Sequence, residues 1–325
     1  GADYDASPYF REFRGENWGF PDLEQASRAF KRYAGDAIRY WLTDYRLDGI
    51  RFDATRFVEW SGYNDWGAGF LAWAGRQADP GAWMIAEHMP SDPELINRTE
   101  MDSTWGDLFR WGVRGFIEDA RLDRAELERM LDPTRTGFTN AAERIAYTES
   151  HDEERVVHNL RQKGFSADET ARRALLALVL TLTAPGPAMI YAGQEFGEDT
   201  ARVVGPNPLH WKKTQSWFGA RARSLQAATR TLAMLRATHP AFRSDEVRMQ
   251  AEDVPDGVAV YARGEAGDAI VVAGNFGRCR RAVTVRLPAA GAWQNVLEAR
   301  AAQPDEHGKL ALTLEPGGVA VFAAR

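Results

Sequence analysis

Three short apolar runs, each closing on acidic residues, constrain this chain more than any other feature. They are Leu47-Asp-Gly-Ile-Arg-Phe-Asp53, Trp83-Met-Ile-Ala-Glu-His88 and Arg144-Ile-Ala-Tyr-Thr-Glu-Ser-His-Asp152. Runs this short, set between polar segments, suit strands buried on both faces, as in a parallel sheet. Sequence of helical period lies around them: Phe30, Tyr33, Ala34, Ala37, Ile38 and Trp41 recur at spacings of three and four ahead of the first run. Strands alternating with helices define an α/β chain. An acid at the carboxyl end of such a strand stands at the rim where α/β barrels do their chemistry.

Arg51 lies two residues before Asp53, so the alternation of a strand points both side chains the same way. A guanidinium beside a carboxylate favours its ionised form, which is how a nucleophile would be prepared. A single pair of this kind is better explained as a structural ion pair at a strand end. Three strands that each deliver acids are hard to explain as packing. The three stretches resemble the second, third and fourth conserved regions of the α-amylase family, glycoside hydrolase family 13. The resemblance implies Asp53 as nucleophile, Glu87 as general acid/base and Asp152 as transition-state stabiliser. It implies Arg51 and His151 as the partners of the nucleophile and of the sugar. His88 would line an acceptor subsite or serve a structural role. Trp18-Gly-Phe-Pro-Asp-Leu23 resembles the segment preceding the second region, which places Trp18 among the substrate contacts.

On this resemblance Asp53 ends the fourth strand of a (β/α)8 barrel of the TIM type, and Ala188-Met-Ile-Tyr-Ala-Gly-Gln-Glu195 contains the last strand. A full barrel takes about 250 residues, and only about five strands can be placed before residue 240. The family's first region, Asp-x-x-x-x-Asn-His, is absent, since no His precedes His88. The expectation is an incomplete barrel, about strands 4–8, over 1–240. The N-terminus reads as a cut end of a longer enzyme, and activity from this piece alone is not expected. Beyond Pro240 short β-branched runs at Val258, Ala269, Ala282 and Val319 alternate with Gly, Pro and Asp. That is the pattern of an antiparallel β-sandwich over 241–325.

Composition removes other classes of function. The chain of 325 residues is 44% hydrophobic and 26% charged, with a net charge of −6, so a nucleic-acid partner is not expected. It has no run of about 18 apolar residues that would read as a membrane span. A single cysteine, Cys279, excludes an internal disulfide and points towards the cytoplasm. No cofactor is expected. In many amylases a His four residues after the nucleophile contacts calcium through its backbone; here Phe57 stands there, which puts the family's calcium site in doubt. Glu153 and Glu154 read as a solvated helix start, and Arg155 as a site contact or a surface ion pair.

The activity implied is retaining hydrolysis of α-1,4-glucosidic bonds in starch- or glycogen-like glucans. The alternatives are a glucan branching or other transglycosylating enzyme, and a non-catalytic glucan-binding fragment. The sequence leaves the oligomeric state open.

Overall fold

The computed structural model describes residues 7–12, 22–215, 219–288 and 291–324. The chain divides into two compact units, residues 1–107 with 137–145, and residues 108–136 with 146–325.

The first unit opens with strands β1 (Phe10–Glu12) and β2 (Asp22–Leu23), paired antiparallel. Helix α1 (Arg28–Thr43) starts at Ser27, whose side chain accepts the Phe30 N–H and so satisfies one orphan donor of the first turn. Its buried stripe is Phe30, Ala34, Ile38 and Leu42, a strict spacing of four. Tyr33 and Trp41, expected on that stripe, are exposed instead. They lie one position to the side of it, and Trp41 packs on Tyr45 with ring centroids 4.6 Å apart.

Strand β3 (Gly49–Phe52) leads into the short helix α2 (Thr55–Val58), helix α3 (Gly67–Ala78), strand β4 (Trp83–Ala86), helix α4 (Pro93–Arg98), strand β5 (Ser103–Trp105) and strand β6 (Arg144–Ile145). β3, β4, β5 and β6 form one parallel sheet in sequence order. Gly49 sits where a Cβ would come within 2.4 Å of the Trp83 carbonyl oxygen, so only glycine lets the two strands close at that point. The core beneath the sheet includes Phe52, Leu71, Ala72, Met84, Ala86, Leu95 and Met101. β3 is only half-buried up to Phe52. It was expected to be covered on both faces, but among the described residues it pairs on one side alone, with β4.

The second unit holds helices α5 (Asp107–Asp119, nearly all of it here), α6 (Arg124–Leu131), α7 (Val156–Gln162), α8 (Ala167–Thr183), α9 (Lys212–Gln215) and α10 (Ala220–Thr238). α8 is capped by Ser166, which accepts the Glu169 N–H, and its second half is buried. The strand expected at Ala188 shrinks to one parallel bridge between Ala146 and Ala188. Ala146 N–H donates to the Pro187 carbonyl and Met189 N–H to that of Ala146. Pro185 and Pro187 have no N–H to extend the ladder, and the chain turns at Gly193.

Eight strands follow: β7 (Val247–Gln250), β8 (Val258–Arg263), β9 (Ile270–Asn275), β10 (Arg281–Arg286), β11 (Trp293–Asn295), β12 (Arg300–Ala302), β13 (Lys309–Leu314) and β14 (Val319–Ala324). Six form an antiparallel sheet in the order β12-β11-β14-β9-β8-β7, and β10 pairs with β13. Val283, Val285 and Leu314 from the pair pack on Val258, Val260, Val271 and Phe322 from the larger sheet, which makes a β-sandwich. The other face of the larger sheet gives Ala259, Tyr261, Val272 and Val321 to a core shared with Leu176, Val179 and Leu180 of α8. A partial (β/α) barrel followed by an antiparallel β-sandwich is the architecture expected.

Candidate active site

In the first unit the candidate residues converge because β3 and β4 are parallel and in register. Phe52 pairs with Ala86, so Asp53 and Glu87 leave the sheet at the same level. The ladder runs one step further: Glu87 N–H donates to the Phe52 carbonyl and Thr55 N–H to the Glu87 carbonyl, each at 2.9 Å. Arg51 stands between the two acids. Its Nη1 hydrogen-bonds Asp53 Oδ1, and its Nη2 lies 2.7 Å from Glu87 Oε2. The guanidinium also lies over the Trp105 ring, 4.3 Å from its centroid, which fixes its plane. Glu87 Oε2 accepts the Ala54 N–H at 2.8 Å. Ala54 is left-handed (φ 45°), an unusual conformation for a residue with a Cβ. That turn aims its N–H at Glu87. Asp53 is the open member, with a side chain 76% exposed against 13% for Glu87.

His88 is buried, and its Nδ1 lies 3.1 Å from Thr55 Oγ1. Thr55 Oγ1 also donates to the Glu87 carbonyl at 2.9 Å. Burial pushes the imidazole below its ordinary pKa. Through Thr55, His88 braces the turn that carries Glu87. Trp18 lies outside the described residues.

His151 and Asp152 belong to the second unit. His151 Nε2 is 3.2 Å from Asp152 Oδ2, and Arg202 Nη2 is 3.9 Å from Oδ1. With Arg155, Tyr191, Arg202 and Asn207 they line a cleft of about 280 Å³. Glu153 and Glu154 do not begin a solvated helix; α7 starts later, at Val156. Glu153 is paired to the buried Arg110 at 2.6 Å, and Glu154 accepts the Arg202 N–H at 2.8 Å. Arg155 is no surface pair either. It is buried with Glu149 at 3.1 Å, donates to the Ala192 carbonyl at 2.9 Å and stacks on Tyr191 at 3.8 Å. Burial pushes the Glu149 carboxyl above its ordinary pKa, despite Arg155 and the Val156 N–H beside it.

Arg202 is a cleft residue that the sequence did not flag. It sits in a loop with no periodicity, and nothing in its neighbours marks it. No three His, Cys, Asp or Glu side chains among the described residues are placed to hold a metal, and Phe57 is half-exposed.

A parallel sheet with acids at its carboxyl ends, followed in the chain by an antiparallel sandwich, defines the class: a partial α/β barrel with a C-terminal β-domain. Two family models match in tandem. "Alpha amylase, catalytic domain" matches residues 115–251, and "Alpha amylase, C-terminal all-beta domain" matches 249–325. The chain belongs to the α-amylase family. Its relatives include the α-amylase MalA of Haloarcula japonica, 28% identical over 89% of this chain and 39% of that protein. The 1,4-α-glucan branching enzyme GlgB of Corynebacterium jeikeium is 25% identical over 94% of this chain and 47% of its own length. The chain thus spans less than half the length of these relatives. An Anoxybacillus α-amylase structure superposes with a TM-score of 0.75 at 18% identity, covering 98% of this chain and 71% of that one.

Proposed function

We propose that the enzyme containing this chain is a retaining α-glucan hydrolase with Asp53 as nucleophile and Glu87 as general acid/base. The observation that carries the reading is the Arg51 bridge, which holds two carboxylates from neighbouring strand ends on one guanidinium. Retention needs two carboxyl groups about 5–5.5 Å apart, and one shared guanidinium keeps these two acids near each other. Asp53, the open acid, attacks the anomeric carbon. Glu87 protonates the leaving oxygen and then activates the water that releases the sugar. Glu87 Oε2 takes donors from Arg51 and Ala54, which fixes the carboxyl group in place. Asp152 is assigned to the hydroxyls of the distorted sugar, and His151 to the same ring. Trp18 stays assigned to the substrate contacts.

The relatives named above include both a hydrolase and a branching enzyme, so transglycosylation to a sugar hydroxyl is the second reading. Starch treated with the protein separates them. Hydrolysis abolishes iodine colour and releases reducing ends, whereas branching shifts the colour without reducing ends. Cleavage that persists in both Asp53→Asn and Glu87→Gln would sink the assignment. We place the catalytic segment at 1–240 and the β-sandwich at 241–325. A cytoplasmic location is proposed from the lone cysteine, testable by fractionating the source cells. Among the described residues no helix is long and apolar enough to cross a membrane.

A further inference from the structure

We propose that Glu198 is a positioning residue that clasps the loop from Asp199 to Leu209 and so holds Arg202 beside Asp152; the inference rests on the role given to Asp152 above. The Glu198 side chain is fully buried, an expensive place for a carboxylate unless it is saturated with donors. It is saturated here. Oε1 takes the Asp199 N–H at 2.9 Å, the Thr200 N–H at 3.2 Å, the Thr200 hydroxyl at 2.7 Å and Lys213 Nζ at 2.8 Å. His210 Nδ1 lies 3.1 Å from it. Oε2 takes the His210 N–H at 2.7 Å. Burial works to raise the pKa of this carboxyl, but the donors from Lys213, His210 and Thr200 bring it well below the ordinary range.

The donors come from both ends of the loop, residues 199–200 on one side and 210–213 on the other. Glu198 therefore closes the loop at its base, with the Lys213–Asp199 pair alongside it. The stem of Glu198 is fixed as well. At Gly193 (φ +96°) a Cβ would come within 2.9 Å of both Glu198 Cβ and Leu209 Cδ2, so the backbone there lies directly against the clasp. At the far side, the Arg202 N–H bonded to Glu154 ties the tip two residues from Asp152. Between the two anchors Val203 and Val204 are exposed, and Val204 is 94% so. The tip has no apolar seat of its own, which leaves its position to the polar anchors. Losing the clasp leaves Arg202 free to swing from Asp152 and opens the wall of the cleft facing a bound sugar.

Trypsin cuts after Arg202, which makes loop opening measurable without reference to activity. In Glu198→Gln, cleavage after Arg202 is expected to accelerate by about tenfold or more, through local opening, with the overall circular-dichroism spectrum kept. Lys213→Met removes the ammonium shared by Glu198 and Asp199, serves if Glu198→Gln does not fold, and should also accelerate cleavage at the same bond. Glu198→Asp, which keeps the charge, should restore part of the protection. On soluble starch the loosened variants should raise KM several-fold while kcat changes less. Unchanged cleavage after Arg202 in both folded variants overturns the clasp. A loosened loop with KM unmoved overturns the positioning role. If the wild type neither binds nor cleaves glucan, the functional reading fails, and proteolysis alone still decides whether Glu198 holds the loop.

Discussion

The arginines at positions 51 and 155 both face glutamates, yet the two groups live in opposite surroundings. Arg51 shares itself between Asp53 and Glu87 at open strand ends, with Asp53 mostly in solvent. Arg155 and Glu149 are closed off, 5% and 2% exposed, with the Ala192 carbonyl, the Val156 N–H and the Tyr191 ring completing the shell. Exposed ion pairs contribute little to stability, because water competes for both partners. A buried pair that loses one member leaves an unpaired charge in the interior. The difference teaches where to expect function and where to expect architecture. The Arg51 group, open at Asp53, is expected to tolerate the loss of a charge better than the closed Arg155 group.

The largest effect that could break this contrast is catalytic. Glu87→Gln in the active enzyme should lower α-glucan cleavage by about 10²–10⁴-fold, the usual contribution of a positioned general acid, with little change in the thermal midpoint. A large stability loss there would erase the distinction. Arg155→Ala should cost roughly 3–5 kcal/mol in urea unfolding, and Arg51→Ala distinctly less. Equal losses would show that the Arg51 bridge is structural after all. Gly49→Ala sharpens the contrast from the backbone side. A Cβ pressed on the Trp83 carbonyl should cost about 1–3 kcal/mol and disturb the shared level of Asp53 and Glu87, so stability and cleavage should fall together.

The smallest effect is in the pH dependence. Glu149 has a folded pKa above its unfolded value of 4.5. Its favourable contribution is therefore complete below that value and declines as pH rises through the folded pKa. Glu198 has the opposite sign, with stability present above 4.5 and lost as pH falls through its depressed folded pKa. Replacing each by Gln should flatten the stability profile in opposite directions, measured by unfolding midpoints across the acid range.

The strand ends of the first unit were legible because two signals agree there. Period-two alternation puts Arg51 and Asp53 on one side, and strand order puts Glu87 beside them. The recurrence of Phe30, Ala34 and Ile38 made helix α1 legible, whereas helix α5 was not anticipated and the caps at Ser27 and Ser166 were not read. Errors arose where long-range packing decides. Tyr33 and Trp41 fit the helical period as well as Ile38 does, and only the neighbouring elements choose between them. Arg155 carries no mark of burial in its own sequence, since its partner Glu149 and the carbonyl at Ala192 come from two other turns of chain. The loop around Arg202 has no period at all. Strands β7, β11, β12 and β13 were missed because they are short or carry mixed polar residues, and they are held by pairing rather than by propensity.

One feature of the sandwich bears on how the protein is made. β14 lies in the interior of the six-stranded sheet, hydrogen-bonded to β11 on one side and β9 on the other. Translation delivers it after every one of its neighbours. Until it emerges from the ribosome, β9-β8-β7 and β11-β12 are two separate fragments with open edges, and the Val321 place in the core beneath α8 is empty. At roughly 5–20 residues per second the nascent chain spends several seconds in that state. A slow codon near this segment would lengthen the exposure of two sticky edges, and a chaperone that covers strand edges would shorten it.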